Sequence, residues 1–329
     1  MKWNGKKVLV TGAGGFIGSH LCEALVGDGA TVTALIRYSG RSDWGNLEHL
    51  PADKRAALRV VSGNVEDPHQ MIRVSEGQEV IFHLAALIAI PYSYVAPTSY
   101  VRTNVEGTLN VLEAARLHRT PRVVHTSTSE TYGTALYTPI DEKHPMQAQS
   151  PYAASKIGGD KVAESYFRSF GVPVATLRPF NTYGPRQSAR AVIPTIVSQA
   201  LGGAEVRLGN LKPVRDLTFV RDTVAAFLAI AGCDAALGQT VNAGAGSGIT
   251  IGDLAAKILA LLGKQVPIVV EEDRLRPDAS EVFELVCDNR KAAAMMGWAP
   301  TVKLEAGLAE AIEFVRSHPD LFKPGIYSR

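Results

Sequence analysis

The chain opens on a short apolar run, Lys7–Thr11, that ends in glycines. Similar runs, rich in β-branched residues, recur at Ala30–Ile36, Leu58–Val61, Val80–Ala85, Arg122–Ser127 and Val174–Arg178. Between them, apolar residues fall at helical spacing over Phe16–Val26, about Val101–His118 and about Pro151–Phe170. Strands alternating with helices predict a parallel, doubly wound α/β sheet. After Arg178 the rhythm changes. Turn residues gather at Asn181, Gly184-Pro185, Gly202-Gly203, Gly209-Asn210 and Lys212-Pro213, with helices expected at Val192–Leu201 and Ile251–Leu262. This part reads as a smaller C-terminal α/β lobe. A return to the sheet is expected around Leu217–Val241. The sheet domain then takes residues 1–178 and about 215–243, and the lobe about 179–214 and 244–329. No internal repeat or low-complexity tract interrupts the chain.

Composition narrows the class. A chain of 329 residues, 46% apolar and 20% charged, has enough material for a large core and is neither a disordered tail nor a fibre. A net charge of +2 with no Lys/Arg run gives no footprint for nucleic acid or an anionic membrane. No apolar run would span a bilayer, and Met1–Val10 is too short for a signal peptide. Cys22, Cys233 and Cys287 lie far apart, without metal or redox spacing, and Cys22 falls inside a helix as core filler. A cytoplasmic protein without a metal site is the expectation.

The first candidate site follows the first strand. Thr11-Gly12-Ala13-Gly14-Gly15-Phe16-Ile17-Gly18 places glycines between a strand and a helix. Gly12 permits a tight turn, Gly15 a close approach to a pyrophosphate, and Gly18 close helix–sheet packing. The helix start at Phe16 and Ile17 then offers N–H groups to the phosphates. The alternative is a purely structural turn, but the strand–glycine–helix setting favours a Rossmann-type dinucleotide site. At the end of the second strand, where an acid would hold a ribose 2′-hydroxyl, stand Ile36 and Arg37, with Arg41 nearby. The missing acid and available guanidinium lean toward NADP over NAD. Alternatively, Arg37 stacks on adenine or sits in solvent. Asn64 and Val65 follow the third strand, where the adenine edge is expected.

Tyr152-Ala153-Ala154-Ser155-Lys156 is Y-x-x-x-K at a helix start, which puts phenol and ammonium on one face. A free phenol, with pKa near ~10, is a poor base at neutral pH. The adjacent Lys156 cation and a positive nicotinamide would favour phenolate. Tyr152 could then take a proton from a hydroxyl being oxidised. The fifth strand ends in Ser127-Thr128-Ser129-Glu130. Thr128 can donate to that hydroxyl. Glu130 is either a second base or a solvated loop carboxylate.

Taken together, these residues resemble the extended short-chain dehydrogenases that act on nucleotide sugars. The likeness runs nearly the full length. It includes His83-Leu84-Ala85-Ala86, Asn104-Val105-Glu106-Gly107-Thr108, Arg178-Pro179-Phe180-Asn181-Thr182-Tyr183-Gly184-Pro185-Arg186, Arg215-Asp216, Arg276-Pro277-Asp278 and Gly297-Trp298. Thr128-Ser129-Glu130 is similar to the Thr-Ser-Glu loop of GDP-mannose 4,6-dehydratases. The dTDP-glucose 4,6-dehydratases have Thr-Asp-Glu there, and typical 4-epimerases lack the Glu. Leu87–Tyr94 and Ser188–Pro194 look most like the GDP-N-acetylglucosamine 4,6-dehydratases of the legionaminic acid pathway.

The resemblance implies an NAD- or NADP-dependent dehydratase giving a 4-keto-6-deoxy sugar from a GDP- or UDP-linked substrate, with 4-epimerase as the rival. A non-catalytic cofactor sensor on the same fold is a more distant reading. Leu84, Ala85 and Ala86 are implied along the cofactor, and Asn181 near the sugar. Arg186, Arg190, Arg215 and Arg276 are candidates for the diphosphate. Ser129 stands where the dTDP-glucose enzymes use Asp as an acid, and a hydroxyl is too weak for that task. A homodimer packed through the helices near Val101–His118 and Pro151–Phe170 is also implied.

Overall fold

The structure, a computed structural model, describes residues 1–322; the stretch 323–329 of the expected lobe lies outside the described residues. Its strands are β1 (Lys7–Thr11), β2 (Thr31–Ile36), β3 (Arg59–Ser62), β4 (Val80–His83), β5 (Arg122–Thr126), β6 (Val174–Pro179), β7 (Asn181–Tyr183), β8 (Val206–Leu208), β9 (Val214–Phe219), β10 (Thr240–Ala243), β11 (Gly248–Thr250), β12 (Ile268–Val270) and β13 (Glu284–Leu285). One seven-stranded sheet runs β10-β6-β5-β4-β1-β2-β3, and every neighbouring pair is parallel. The strand order steps away from β1 in both directions. That leaves a crevice at the carboxyl ends of β1 and β4, where open α/β sheets bind ligands.

Both faces of the sheet are covered, which is why its strands read as continuous apolar runs. Val8 and Val10 pack on one side with Leu21, Leu25, Phe82 and Phe227. Leu9 faces the other side with Ile81, Val111, Leu112 and Val123. The helix Val220–Ala231, which the sequence pattern does not single out, sets Phe227 edge-on to Phe82 at 6.3 Å. It is buried on most sides and so shows no clear polar stripe.

Two helices position the chemistry. Pro151–Phe170 has the bounds expected from the sequence. The Ser150 hydroxyl accepts the Ala153 N–H at 3.1 Å, Pro151 starts the first turn, and Gly171 stops the helix at φ 67°. The helix expected from Val101 instead begins at Pro97. It passes through a π-turn at Arg102–Glu106 before continuing over Gly107–His118. Buried Asn104 sits in that π-turn. Its oxygen accepts the Leu87 N–H, and its amide donates to Leu87 O and Ser155 Oγ, each at 2.9 Å. Such bulges re-aim a side chain inside a helix.

The lobe has its own core, with Ile193, Ile196 and Val197 packed on Leu254, Ile258, Leu308 and Ile312. β9 belongs to the lobe, pairing with β7, β11 and β13. The chain turns back to the large sheet with the helix Val220–Ala231 and joins it as a strand at β10. Asp216 on β9 ties these parts together by accepting the N–H groups of Ala245 (2.7 Å), Gly246 (2.8 Å) and Cys287 (3.0 Å). Burial pushes its carboxyl up to about 6 against those donors. Asp216→Ala strands the buried Cys287 N–H and should lower unfolding free energy in urea by about 2 kcal/mol or more. A change within about 0.5 kcal/mol, the range of an ordinary surface substitution, would contradict this role.

Candidate active site

The carboxyl ends of β1, β4, β5 and β6 open into a cleft of about 750 Å³. On one side is the glycine loop. Gly12 has φ 72°, and a Cβ there would lie 2.7 Å from Ala85 N; a Cβ on Gly18 would lie 2.2 Å from Gly12 O. These contacts require glycine. The helix Phe16–Gly27 begins at Gly15 with no side-chain cap and no acid in its first turn. Gly15, Phe16, Ile17 and Gly18 line the cleft; the Gly15 N–H is taken by Gly12 O at 3.0 Å, so the first N–H groups of the helix itself, from Phe16 on, are those a pyrophosphate could use. Leu84, Ala85 and Ala86 continue the same wall.

Arg37 lines the cleft as expected, but Asn64 and Val65 do not. Asn64 Oδ1 closes a local turn on the Glu66 N–H at 3.1 Å, and Val65 is buried in the core. The loop after β2 lines this end instead, with Tyr38, Ser39, Asp43 and Trp44. Asp43 supplies a carboxylate that the strand end lacks, and the Ser39 hydroxyl donates to it at 3.2 Å. The loop is irregular, so no spacing pattern marks Asp43 in the sequence.

Tyr152, Lys156, Thr128, Ser129 and Glu130 all line one cleft. Lys156 Nζ donates to Thr126 O at 2.5 Å. Thr128 Oγ1 accepts the Glu130 N–H at 3.3 Å and keeps its own proton available on the side of Tyr152. Burial pushes the Tyr152 phenol well above its ordinary range, and the Thr128 bond only partly offsets this, while the Glu130 charge adds to the rise. Burial also lowers Lys156 to about 8, opposed by the Asp160 charge. The Lys156 ammonium is turned to Thr126 O and is not among the groups that set the Tyr152 phenol's state.

On the lobe side, Asn181, Arg190 and Arg276 reach the cleft. Among the described residues, the buried Asn181 Oδ1 has no hydrogen-bond partner and so suits a polar ligand, while the Arg276 Nη1, also without a hydrogen bond, lies 3.8 Å from the Glu281 carboxylate. Gln187, not singled out by the sequence, also lines the cleft with an unpartnered buried oxygen. Arg186 and Arg215 lie outside the lining. Arg186 pairs with Glu23 at 2.5 Å on the first helix. Arg215 is buried, donating to Val214 O at 3.0 Å and lying 3.7 Å from Glu281.

Fold and site together are those of a short-chain dehydrogenase/reductase enlarged by a lobe that can grip a second, anionic ligand. Residues 9–311 match the family model described as GDP-mannose 4,6 dehydratase. The chain belongs to that family, among the extended short-chain enzymes of nucleotide-sugar dehydration and epimerisation. It is 35% identical to a UDP-glucose 4-epimerase of Mycolicibacterium smegmatis over 94% of this chain and 99% of the relative. It is 34% identical to a dTDP-glucose 4,6-dehydratase of Streptomyces griseus over 96% of each. Among solved structures, it superimposes with TM-score 0.85 on DesIV, the dTDP-glucose 4,6-dehydratase of Streptomyces venezuelae with NAD and TYD bound. That match has 30% identity and covers 96% of this chain and 99% of DesIV.

Gly12→Ala forces a side chain against Ala85 at a positive φ. It should weaken NAD or NADP binding by about tenfold or more in calorimetry, a loss of ~1.4 kcal/mol. Unchanged affinity would remove the glycine loop from the site.

Proposed function

We propose that this protein is an NAD(P)-dependent nucleotide-sugar 4,6-dehydratase that makes a 4-keto-6-deoxy sugar from a GDP- or UDP-linked substrate. The observation that carries the reading is Glu130, a carboxylate only 9% exposed that lines the cleft together with Tyr152 and Thr128. Epimerisation at C4 needs no second base, because hydride leaves and returns at one carbon. Elimination of water across C5 and C6 does need one, to remove the C5 proton.

The glycine loop, its uncapped helix start and Leu84–Ala86 fit a dinucleotide, which when bound supplies reversible hydride exchange with the sugar. Arg37 favours a 2′-phosphate, Asp43 on the same wall opposes it, and DesIV holds NAD; the cofactor is accordingly written NAD(P). Because burial keeps the Tyr152 phenol protonated, a cation must approach before it can serve as a base. Lys156, one helical turn away, is the protein's own source of that charge. Tyr152 then takes the C4 hydroxyl proton while Thr128 orients that hydroxyl. Glu130 removes the C5 proton acidified by the C4 ketone and passes it to the C6 hydroxyl, which leaves as water; the C5–C6 alkene so formed would take back the stored hydride at C6 and a proton from solvent at C5, which restores the cofactor and gives the 6-deoxy sugar. Ser129, too weak an acid for that transfer, lines the site. Arg190 and Arg276 take the diphosphate, and Asn181 the sugar side.

The 4-epimerase reading has support of its own. Relatives of nearly equal identity carry either name, and Ser129 replaces the acidic residue of dTDP-glucose dehydratases. Mass spectrometry decides between them. Purified protein given GDP- and UDP-linked N-acetylglucosamine, glucose and mannose, without reductant, should remove one water from at least one of them. An unchanged mass with a new diastereomer would establish the epimerase instead. Tyr152→Phe should cut kcat by about 10²- to 10⁴-fold, and near-normal turnover would sink its role. Glu130→Gln should still oxidise C4 but stop there, with reduced cofactor accumulating; normal water loss would remove Glu130 from the scheme.

A further inference from the structure

Behind Tyr152 and Lys156 lies a buried charged cluster that the reaction above leaves unused. Resting on that reading, we propose that Asp160 is a positioning residue: its carboxylate, paired with Arg178, holds the Lys156 ammonium in its charged form and fixes the Thr126–Thr128 segment, whose Thr126 carbonyl accepts Lys156.

Tyr152, Lys156 and Asp160 follow one another at four-residue steps on the helix Pro151–Phe170, so they share one face. The Asp160 carboxylate accepts three hydrogen bonds, from His125 Nε2 (2.9 Å), Ser127 Oγ (2.6 Å) and Arg178 Nη2 (2.8 Å). His125 and Ser127 alternate along the end of β5 with Thr126, whose carbonyl accepts Lys156, and with Thr128, the partner of Tyr152. One carboxylate thus grips the residues on both sides of Thr126, the second of which precedes Thr128. Arg178 extends the grip. Its Nε donates to Ser127 Oγ at 3.1 Å and its Nη1 to Tyr132 OH at 2.6 Å. Tyr132 lies in the Ser129–Tyr132 turn that carries Glu130.

Charge gives the cluster its second role. Burial favours a neutral Asp160, but the His125 hydrogen bond and the Arg178 and Lys156 charges hold its carboxyl far below the usual range. The other titratable groups facing Lys156 carry no charge. His83 from β4 and His125 from β5 are held neutral by burial, and Tyr152 is kept protonated. Glu130 acts on Tyr152 from the turn after β5. Two buried cations, Lys156 and Arg178, therefore share the single carboxylate of Asp160. Without it both would be left buried with no anion, and of the two only the ammonium readily gives up its proton. Without Arg178, the carboxylate would serve Lys156 alone.

These two losses push Lys156 in opposite directions, whereas a merely structural role would give no such reversal. The test follows Lys156 Nζ by NMR in the full-length protein labelled with ¹⁵N-lysine, the signal being assigned by its loss in Lys156→Met. Asp160→Asn should lower the Lys156 titration midpoint by about one pH unit or more, and Arg178→Gln should raise it by a similar amount. A shift of the same sign in both, or none in either, would overturn the proposal. If Asp160→Asn fails to fold, Arg178→Gln decides, and a downward or absent shift is the contrary result. The readout needs no sugar. Absence of turnover by the wild-type protein would defeat the dehydratase reading while leaving the midpoints to judge Asp160.

Discussion

The helix Pro151–Phe170 is pinned to the end of β5 by charged groups taken out of water. Lys156 reaches the Thr126 carbonyl, and the Asp160 carboxylate, one turn on, gathers donors from β5 and β6. Isolated buried charges would cost several kcal/mol each, so these persist only because each is paired and hydrogen-bonded. The arrangement leaves little slack. Sliding the helix along the strand would break the Lys156 and Asp160 contacts together. Tyr152 and Glu130 therefore meet at one cleft as a consequence of how helix and sheet are joined.

The same burial sets the state of the chemistry. A phenol pushed up by desolvation and an ammonium pulled down to about 8 form a site at rest, with its base still protonated. Reaction requires positive charge near the phenol, and a dinucleotide bound along the glycine loop would complete that requirement. On the proposed reading, cofactor binding and proton transfer are thereby linked through one residue. The Asn181 and Gln187 side-chain oxygens on the lobe side, without hydrogen-bond partners among the described residues, show the same incompleteness from the substrate direction.

Much of this was legible in the sequence, for physical reasons. The glycines follow from backbone clearance, and the Pro151–Phe170 helix from Ser150, Pro151 and Gly171 as its punctuation. Tyr152, Lys156, Thr128 and Glu130 lie close along the chain or at helical spacing, so their convergence could be read locally. What escaped depends on contacts distant in sequence. Asp43 enters through an irregular loop, and Asn104 is turned inward by a π-turn that periodicity does not reveal. Arg186 and Arg215 are arginines of the expected type, yet Arg186 is turned to Glu23 and neither lines the cleft. Asp160 would pass for an ordinary helix carboxylate until β5 and β6 are placed against it.

The central claim is that Glu130 works as a base on C5 in the same cleft where Tyr152 works on the C4 hydroxyl. The most direct measurement is NMR of the product formed in D₂O from the nucleotide sugar that the protein converts. The account predicts one solvent deuterium at C5 of a 4-keto-6-deoxy sugar. A product carrying no deuterium at C5 would contradict it, since the C5 proton would never have been removed.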